Sequence, residues 1–306
     1  VWNYNNAVYE VVETVTETPR YTWRYGKVSY PLPSYPMDSL IGPAGSAMAS
    51  PGANSVSLPI GNMSNYRPTM ASVSWPGCII ELPTREVNSF ATMPNDVPDI
   101  DINHIPTNAA DTRWRMWLPR LQYARTRTAN SGGINNTNEY YTDTNFVYVN
   151  EYPDYGWGAC PTKSRALSKM SVGDVESYLQ TLQAVGGTYH DIGLVWGGRL
   201  ISPDGIYGSI NEADVQGGAV SRHVIFMTDG DTAPNSYIMS SHGQEYLRPQ
   251  RGSFSKLKEQ IEGRMQLICQ QIKGSAGATL WVVAFGPGIT DPTTKANLKK
   301  CASQGS

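Results

Sequence analysis

Two acidic residues and a threonine directly follow an apolar run in the second half of the chain. The run covers 223–227, and the residues after it are Thr228, Asp229, Gly230 and Asp231. A short apolar run that ends in turn residues predicts a strand buried on both faces, as in a parallel sheet. Ligands of open α/β sheets bind at the carboxyl ends of such strands. Carboxylate and hydroxyl oxygens there suit Mg2+ or Ca2+, although an ordinary Asp-Gly turn after a strand contains the same residues.

Helices and strands alternate around this strand from residue 164 onward. Apolar residues at helical spacing predict four helices, over 171–182, 191–201, 254–272 and 293–301. A second buried strand is predicted over 279–286. Because helices that alternate with strands indicate a parallel sheet, the sequence predicts an α/β fold class.

The first half of the chain has a different composition. Alternating β-branched and aromatic residues predict strands over 1–30, and a run rich in Pro, Ser, Gly and Asn predicts a loop over 31–70. The aspartates of 95–101 predict a solvated loop; a calcium loop is the alternative, although the glycine and distal glutamate of an EF-hand are absent. Trp114 and Trp117 predict an aromatic packing cluster, with stacking on neighbouring arginines as the alternative.

Composition narrows the classes of function. The chain has 306 residues, a formal net charge of -2 and only 16% charged residues. That balance lacks the basic excess of a nucleic-acid binder, so we expect no nucleic-acid partner. No apolar run reaches the roughly 18 residues of a membrane span. The chain begins at Val1 and shows no signal peptide, and we expect it to be a piece of a longer protein.

The four cysteines, Cys78, Cys160, Cys269 and Cys301, include no closely spaced pair, which argues against a zinc site. The predicted helices over 254–272 and 293–301 can be neighbours across the strand between them. We therefore predict the disulfides Cys269–Cys301 and Cys78–Cys160, and with them an oxidising compartment. Four buried thiols in a cytosolic protein are the alternative. The scattered histidines are interpreted as structural or surface residues.

Two runs around the predicted strand carry a family resemblance. They are Gly186-Gly-Thr-Tyr-His-Asp-Ile-Gly193 and Phe226-Met-Thr-Asp-Gly-Asp231. They resemble the von Willebrand factor A domain, and the likeness is closer to the TadG-like proteins of bacterial Flp (Tad) pilus assembly. Further similar runs are Arg199-Leu-Ile-Ser-Pro-Asp-Gly205, Tyr21-Thr-Trp-Arg-Tyr25, Trp75-Pro-Gly-Cys-Ile79 and Asp111-Thr-Arg-Trp-Arg115. The resemblance spans most of the chain and is strongest over 164–301.

The resemblance implies a von Willebrand factor A fold, a Rossmann-like, doubly wound and mostly parallel sheet. In that fold 164–306 is the C-terminal α/β part of the domain, and 1–163 is a large β- and loop-rich insertion within it. The family's Asp-x-Ser-x-Ser motif, at the end of the first strand, does not occur in this sequence. We therefore expect that strand to precede Val1, so that this chain is an internal fragment lacking it.

The family's metal-ion-dependent adhesion site is completed by a threonine from one loop and the aspartate of a strand-end Thr-Asp-Gly. The matching residues are Thr188, implied as a direct ligand, and Asp229, implied as a water-bridged one. Mg2+ keeps several waters, so few protein ligands suffice; Ca2+ and Mn2+ are the alternatives. Asp231 and Asp191 are candidates for tuning the site, although Asp191 also suits a helix N-terminus. Without the Asp-x-Ser-x-Ser half, we expect weak or absent metal binding by this chain alone.

The function implied by the resemblance is a non-enzymatic, metal-dependent adhesion or protein-interaction module in Flp/Tad pilus assembly. Its expected partners are pilus-assembly or surface proteins, one of which supplies a carboxylate to the ion. Its expected location is the periplasm or cell surface, with an inner-membrane anchor upstream of this chain. One alternative is a metal-dependent hydrolase on an α/β scaffold, although neither a Gly-x-Ser-x-Gly elbow nor a recognisable histidine–nucleophile arrangement occurs. The other is a structural surface protein whose remnant site binds nothing.

Overall fold

The computed structural model describes residues 7–14, 20–27, 34–35, 55–61, 68–74, 77–117, 142–143, 161–184, 186–211, 220–235, 240–243 and 250–304. Within these ranges the chain is a mixed α/β structure with four small sheets, one of which pairs two strands in parallel. The prediction of an α/β fold with parallel strands is thereby confirmed at this level.

The strands of the first half form three antiparallel sheets, in the orders β1-β2-β8, β3-β7-β6 and β4-β5. Their bounds are Ala7–Thr14 (β1), Arg20–Lys27 (β2), Ser34–Tyr35 (β3), Ser55–Gly61 (β4), Pro68–Ser74 (β5), Ile79–Ile80 (β6), Trp114–Met116 (β7) and Thr142–Asp143 (β8). The strands predicted within 1–30 are confirmed. The loop predicted over 31–70 is wrong for β3, β4 and the start of β5. Val56, Leu58 and Ile60 alternate with polar or small residues there, a local strand pattern that the Pro, Ser and Gly content of the stretch concealed.

The second half supplies the parallel pair and the helices. β9 (Arg222–Gly230) and β10 (Ala278–Gly288) are the parallel strands. The helices are α1 (Val172–Leu179), α2 (His190–Ile201), α3 (Gly208–Asn211), α4 (Phe254–Gly274) and α5 (Pro292–Cys301). The four predicted helices and both predicted strands are confirmed with small shifts at their ends. Ser171 caps α1, because its hydroxyl accepts the Asp174 N–H at 3.2 Å and the Asp174 carboxylate accepts the Ser171 N–H in return.

One hydrophobic core lies between the parallel pair and three helices. Val224, Phe226 and Val282 point from the strands into a cluster of buried residues from α2, α4 and α5. Burying apolar surface of this kind is the main source of free energy for folding, at about 25 cal/mol per Å2. The helix α4 is the centre of this packing, since it contacts α2, α5 and β10.

The opposite face of the parallel pair is open. Ile225 is 66% exposed and Met227 is 60% exposed, and the neighbouring strand adds the exposed side chains of Trp281, Val283 and Phe285. The prediction that β9 is buried on both faces is therefore wrong for the described part of the chain. The helices α2, α4 and α5 all pack on the face that carries Val224 and Phe226. A continuous apolar run does not encode which of its two faces is covered.

Residues 77–117 belong to the same packed structure as the helices. The buried Glu81 carboxylate accepts hydrogen bonds from the indole N–H groups of Trp114 (3.0 Å) and Trp196 (2.7 Å) and from Arg199 (2.8 Å). The Arg199 guanidinium also lies over both rings, 5.0 Å from the centroid of Trp114 and 4.7 Å from that of Trp196. The predicted aromatic cluster is confirmed for Trp114, which packs against Trp196 with an arginine from α2 stacked on both rings; for Trp117 it stays a prediction. The division at residue 163/164 stays a prediction.

The disulfide Cys269–Cys301 is confirmed. It joins α4 to α5 with a Cα–Cα distance of 5.2 Å, and both cysteines are buried. Cys78 is also disulfide-bonded. Its predicted partner, Cys160, lies outside the described residues, so the Cys78–Cys160 pairing stays a prediction. None of the helices in the described ranges combines the length and apolar character that crossing a membrane requires.

Replacing both Cys269 and Cys301 by alanine should lower the free energy of unfolding by about 3–4 kcal/mol, the chain-entropy value for a bridge over a loop of this size. The two cysteines are 32 residues apart. Urea unfolding followed by far-UV circular dichroism measures the change, and an excess of reductant should bring the wild type close to the variant. A wild type no more stable than the variant without reductant would contradict the stabilising role of this bridge.

Candidate functional site

Thr188 and the end of β9 lie side by side at the carboxyl edge of the parallel pair. The Thr188 N–H donates to the carbonyl oxygen of Ala233 at 3.0 Å, and the Ala233 N–H donates to the Thr188 carbonyl at 3.2 Å. The Thr188 hydroxyl oxygen is 3.8 Å from the position that a Cβ would take on Gly230. The fold therefore brings together the two segments that carry the predicted ligands Thr188 and Asp229. Their role as metal ligands stays a prediction.

Two glycines allow this close approach. Gly186 has φ +90°, in the left-handed region that favours glycine. A Cβ on Gly187 would come within 2.6 Å of the Ala233 carbonyl oxygen and 3.3 Å of the Asn235 nitrogen. Any side chain at Gly187 would therefore push the loop away from the end of β9.

Tyr189 and His190, which follow Thr188, form hydrogen bonds with residues 228–235 at and after the end of β9. The Tyr189 hydroxyl donates to the carbonyl of Asn235 at 3.0 Å and accepts its N–H at 3.1 Å. The His190 ring is buried, with Nε2 3.1 Å from the Thr228 hydroxyl and Nδ1 2.9 Å from the Thr232 hydroxyl. Histidine was expected to be structural here, and it is, but the sequence did not reveal that it joins two threonines. The available signal in the sequence was the pair of threonines, Thr228 and Thr232, that flank Asp229 and Asp231.

The two aspartates of the strand end differ in their surroundings. The Asp231 carboxylate accepts the N–H groups of Thr290 and Asp291, both at 3.0 Å, and the Thr290 hydroxyl at 2.8 Å. It thereby fixes the loop between β10 and α5. Asp229 is exposed, and within the described ranges no hydrogen bond or ion pair reaches its carboxylate. Of the two, Asp229 is the carboxylate available to a cation.

A buried ion-pair network lies behind the site. Asp191, in the first turn of α2, accepts a hydrogen bond from Arg251 at 3.0 Å and lies 3.9 Å from Arg264. Arg264 also pairs with Asp99, whose carboxylate is 2.7 Å from Nε2 of His242. All five side chains are buried. The network ties the N-terminus of α2 to α4 and to the segment around residue 99.

Asp99 corrects the prediction of a solvated loop over 95–101. Asp96 does lie at the surface, paired with Arg85 at 2.5 Å, but Asp99 is fully buried. Burial alone would raise the pKa of Asp99; the charge of Arg264 and the hydrogen bond from His242 outweigh it and hold that pKa well below its usual range. The partner that makes this burial possible is 165 residues away in the sequence, where no local pattern reveals it.

The oxygen donors of the site suit a hard cation, although the site offers few of them. The Thr188 hydroxyl and the Asp229 carboxylate are oxygen donors of the type that Mg2+ binds. Within the described ranges, no group of three or more His, Cys, Asp or Glu side chains is placed to hold a metal ion. Thr188 and Asp229 therefore fit a cation that keeps most of its coordinated water and takes its further ligands from groups other than these two.

Comparison of the chain with models of known protein families, with curated proteins and with solved structures finds no match. The resemblance to the von Willebrand factor A domain therefore stays a prediction from the sequence motifs.

Replacing Gly187 by alanine should displace the Thr188 loop and lower the free energy of unfolding by about 1–3 kcal/mol, because the new Cβ overlaps the Ala233 carbonyl. The matched control is Gly173→Ala in α1, where the nearest atom is 4.0 Å away and the change should be neutral or slightly stabilising. Urea unfolding and the amide NMR signals of 186–190 and 230–235 measure both effects. Equal stability of the two variants would contradict the close approach.

Replacing Asp99 by asparagine should cost about 3–5 kcal/mol of unfolding free energy at pH 7, because the buried Arg264 loses its nearest counter-charge and keeps only the more distant Asp191. The pKa of Asp99 is lowered in the folded state, so its contribution is fully present above the unfolded pKa of about 4 and is lost as pH falls below it. The difference between wild type and variant should therefore shrink from about pH 5 to pH 3. Asp204→Asn, at an exposed position, is the control. A difference independent of pH would contradict the ion pair.

Proposed function

We propose that this chain is a non-enzymatic, metal-dependent protein-interaction module of the von Willebrand factor A type, acting in Flp/Tad pilus assembly. The observation that carries the proposal is the placement of the Thr188 hydroxyl beside Gly230, the residue that follows the exposed Asp229, at the carboxyl edge of parallel strands. A hydroxyl and an exposed carboxylate on adjacent segments are suited to bind a cation that a second protein also contacts.

The finer fold that we propose is the doubly wound, Rossmann-like sheet of that family. Its support is the alternation of helix and strand around the parallel pair.

The ion that we propose is Mg2+, with Mn2+ or Ca2+ as substitutes. Thr188 would bind it directly and Asp229 through water, and a carboxylate from the partner would be an additional ligand. Because one hydroxyl and one carboxylate are few ligands for Mg2+, we expect this chain alone to bind the ion weakly, in the millimolar range or above.

The proposed location is the periplasm or the cell surface. Its support is the disulfide Cys269–Cys301, because disulfides persist in oxidising compartments and are rare in the cytosol. The proposed partners are pilus-assembly or surface proteins that present an acidic side chain.

Mn2+ titration followed by NMR tests the metal site even when binding is weak, because the paramagnetic ion broadens nearby signals. In the 15N-labelled chain, the amide signals of Thr188, Asp229 and Gly230 should broaden first, and Asp229→Asn should abolish that preference. Asp204→Asn is the control: Asp204 follows the far end of α2, whose 12 residues make it about 18 Å long. Uniform broadening in the wild type would contradict the proposed site.

Pull-down with the immobilised chain tests the function itself. Purified pilus-assembly proteins should be retained in Mg2+, released by EDTA, and retained less by the Asp229→Asn variant than by the Asp204→Asn control. Retention that is the same with EDTA or with Asp229→Asn would contradict a metal-dependent interaction. Hydrolysis of ester or phosphate substrates by the chain would contradict the non-enzymatic proposal.

A further inference from the structure

We propose that His190 is the positioning residue of this edge: its neutral, Nε2-protonated ring joins Thr228 to Thr232 and so fixes the conformation of the residues between them. Those residues include Asp229, the candidate ligand. The functional meaning of this role rests on the function proposed above. The geometric role does not, because it concerns contacts within this chain.

The hydrogen-bond pattern assigns the proton on the ring. The Thr228 hydroxyl is 3.2 Å from the Gly230 carbonyl oxygen, to which it donates, and it accepts the Gly230 N–H at 3.4 Å. A hydroxyl has one proton to donate. Since that proton is used on Gly230, the contact of 3.1 Å to His190 requires Nε2–H as the donor. The buried ring meets a hydroxyl at each nitrogen, an arrangement that suits one donor and one acceptor, and we assign Nδ1 as the acceptor of the Thr232 hydroxyl at 2.9 Å.

Every group in this arrangement is buried. Thr228, Thr232 and His190 are each less than 10% exposed. A buried hydroxyl or ring nitrogen without a partner destabilises the structure, so the three side chains hold one another in a single arrangement. The ring also contacts Phe226 edge-to-face, at 5.6 Å between centroids, which orients it against the strand.

The His190 ring and the two threonine hydroxyls that it contacts form a clamp, which we call the His190 clamp. The chain connects this clamp directly to Thr188. His190 is the first residue of α2 and lies two residues after Thr188. The next residue, Asp191, is fixed by its buried pair with Arg251. One short segment therefore supplies the candidate hydroxyl ligand and holds the strand end that bears the candidate carboxylate. The separation of Thr188 and Asp229 depends on the His190 ring.

NMR tests the assignment directly. Long-range 1H–15N spectra of the chain without metal should show a pyrrole-type Nε2 and a pyridine-type Nδ1 for His190. This signature reports the hydrogen-bond arrangement, which a residue that only filled space would not fix. The opposite tautomer, or an equal mixture of the two, would overturn the proposal.

Variants test the positioning role. His190→Phe keeps a ring against Phe226 but removes both hydrogen bonds, and the Gly230 amide should exchange about fivefold to tenfold faster, the factor that one lost hydrogen bond gives. His190→Gln keeps a donor near the Nε2 position and should restore most of the protection. Thr293→Val, at an exposed position in α5, is the control and should leave exchange unchanged.

If His190→Phe does not fold, Thr232→Val replaces it, since it removes only the partner of Nδ1 and keeps the volume of the side chain. It should weaken the preference for the Nε2-protonated ring. Unchanged Gly230 exchange in a folded His190→Phe, or an unchanged tautomer preference in Thr232→Val, would overturn the proposal. These measurements need no metal. The Mn2+ titration reports the proposed function separately, so either one can fail while the other holds.

Discussion

The balance of buried charge is the constraint on which this structure depends most. Arg199, Arg251 and Arg264 are wholly buried. Each lies against a buried carboxylate, and the three carboxylates, Glu81, Asp191 and Asp99, come from different segments of the chain. A buried ion pair adds little net stability, but a buried charge without its partner costs several kcal/mol. The segments around residues 81, 99, 191, 199, 251 and 264 are therefore held together by pairs whose disruption costs several kcal/mol each.

This constraint fixes the edge of the sheet where the candidate ligands lie. Asp191 holds the first turn of α2 against Arg251, and His190 and Thr188 immediately precede it. On the other side, Asp231 holds the loop that leads into α5. Asp229 lies between these two fixed points, and no partner among the described residues binds its carboxylate. Within that part of the chain, the site consists of one exposed acid in a framework where the neighbouring acids, Asp191 and Asp231, already have partners.

The sequence predicts the helices and strands of this fold better than it predicts which side chains are buried and what they contact. The helices and the parallel strands are confirmed because their patterns are local, and the Cys269–Cys301 bridge because it joins two such helices. The juxtaposition of Thr188 with the end of β9 followed from loop motifs. The burial of Asp99, the open face at Ile225 and the clamp at His190 could not be predicted, since each is decided by residues that only tertiary structure brings near.

The long sequence separation of the buried partners has a consequence for synthesis. Asp99 meets Arg264 across 165 residues, and Gln260 binds the backbone of Val87 across 173. At a translation rate of about 5–20 residues per second, the segment around Asp99 is made roughly 10–30 s before the helix that neutralises it. The nascent chain carries the acidic and apolar residues of that segment without their partners throughout this time. The segment around Asp99 can therefore complete its burial only after the helix that carries Arg264 has been synthesised.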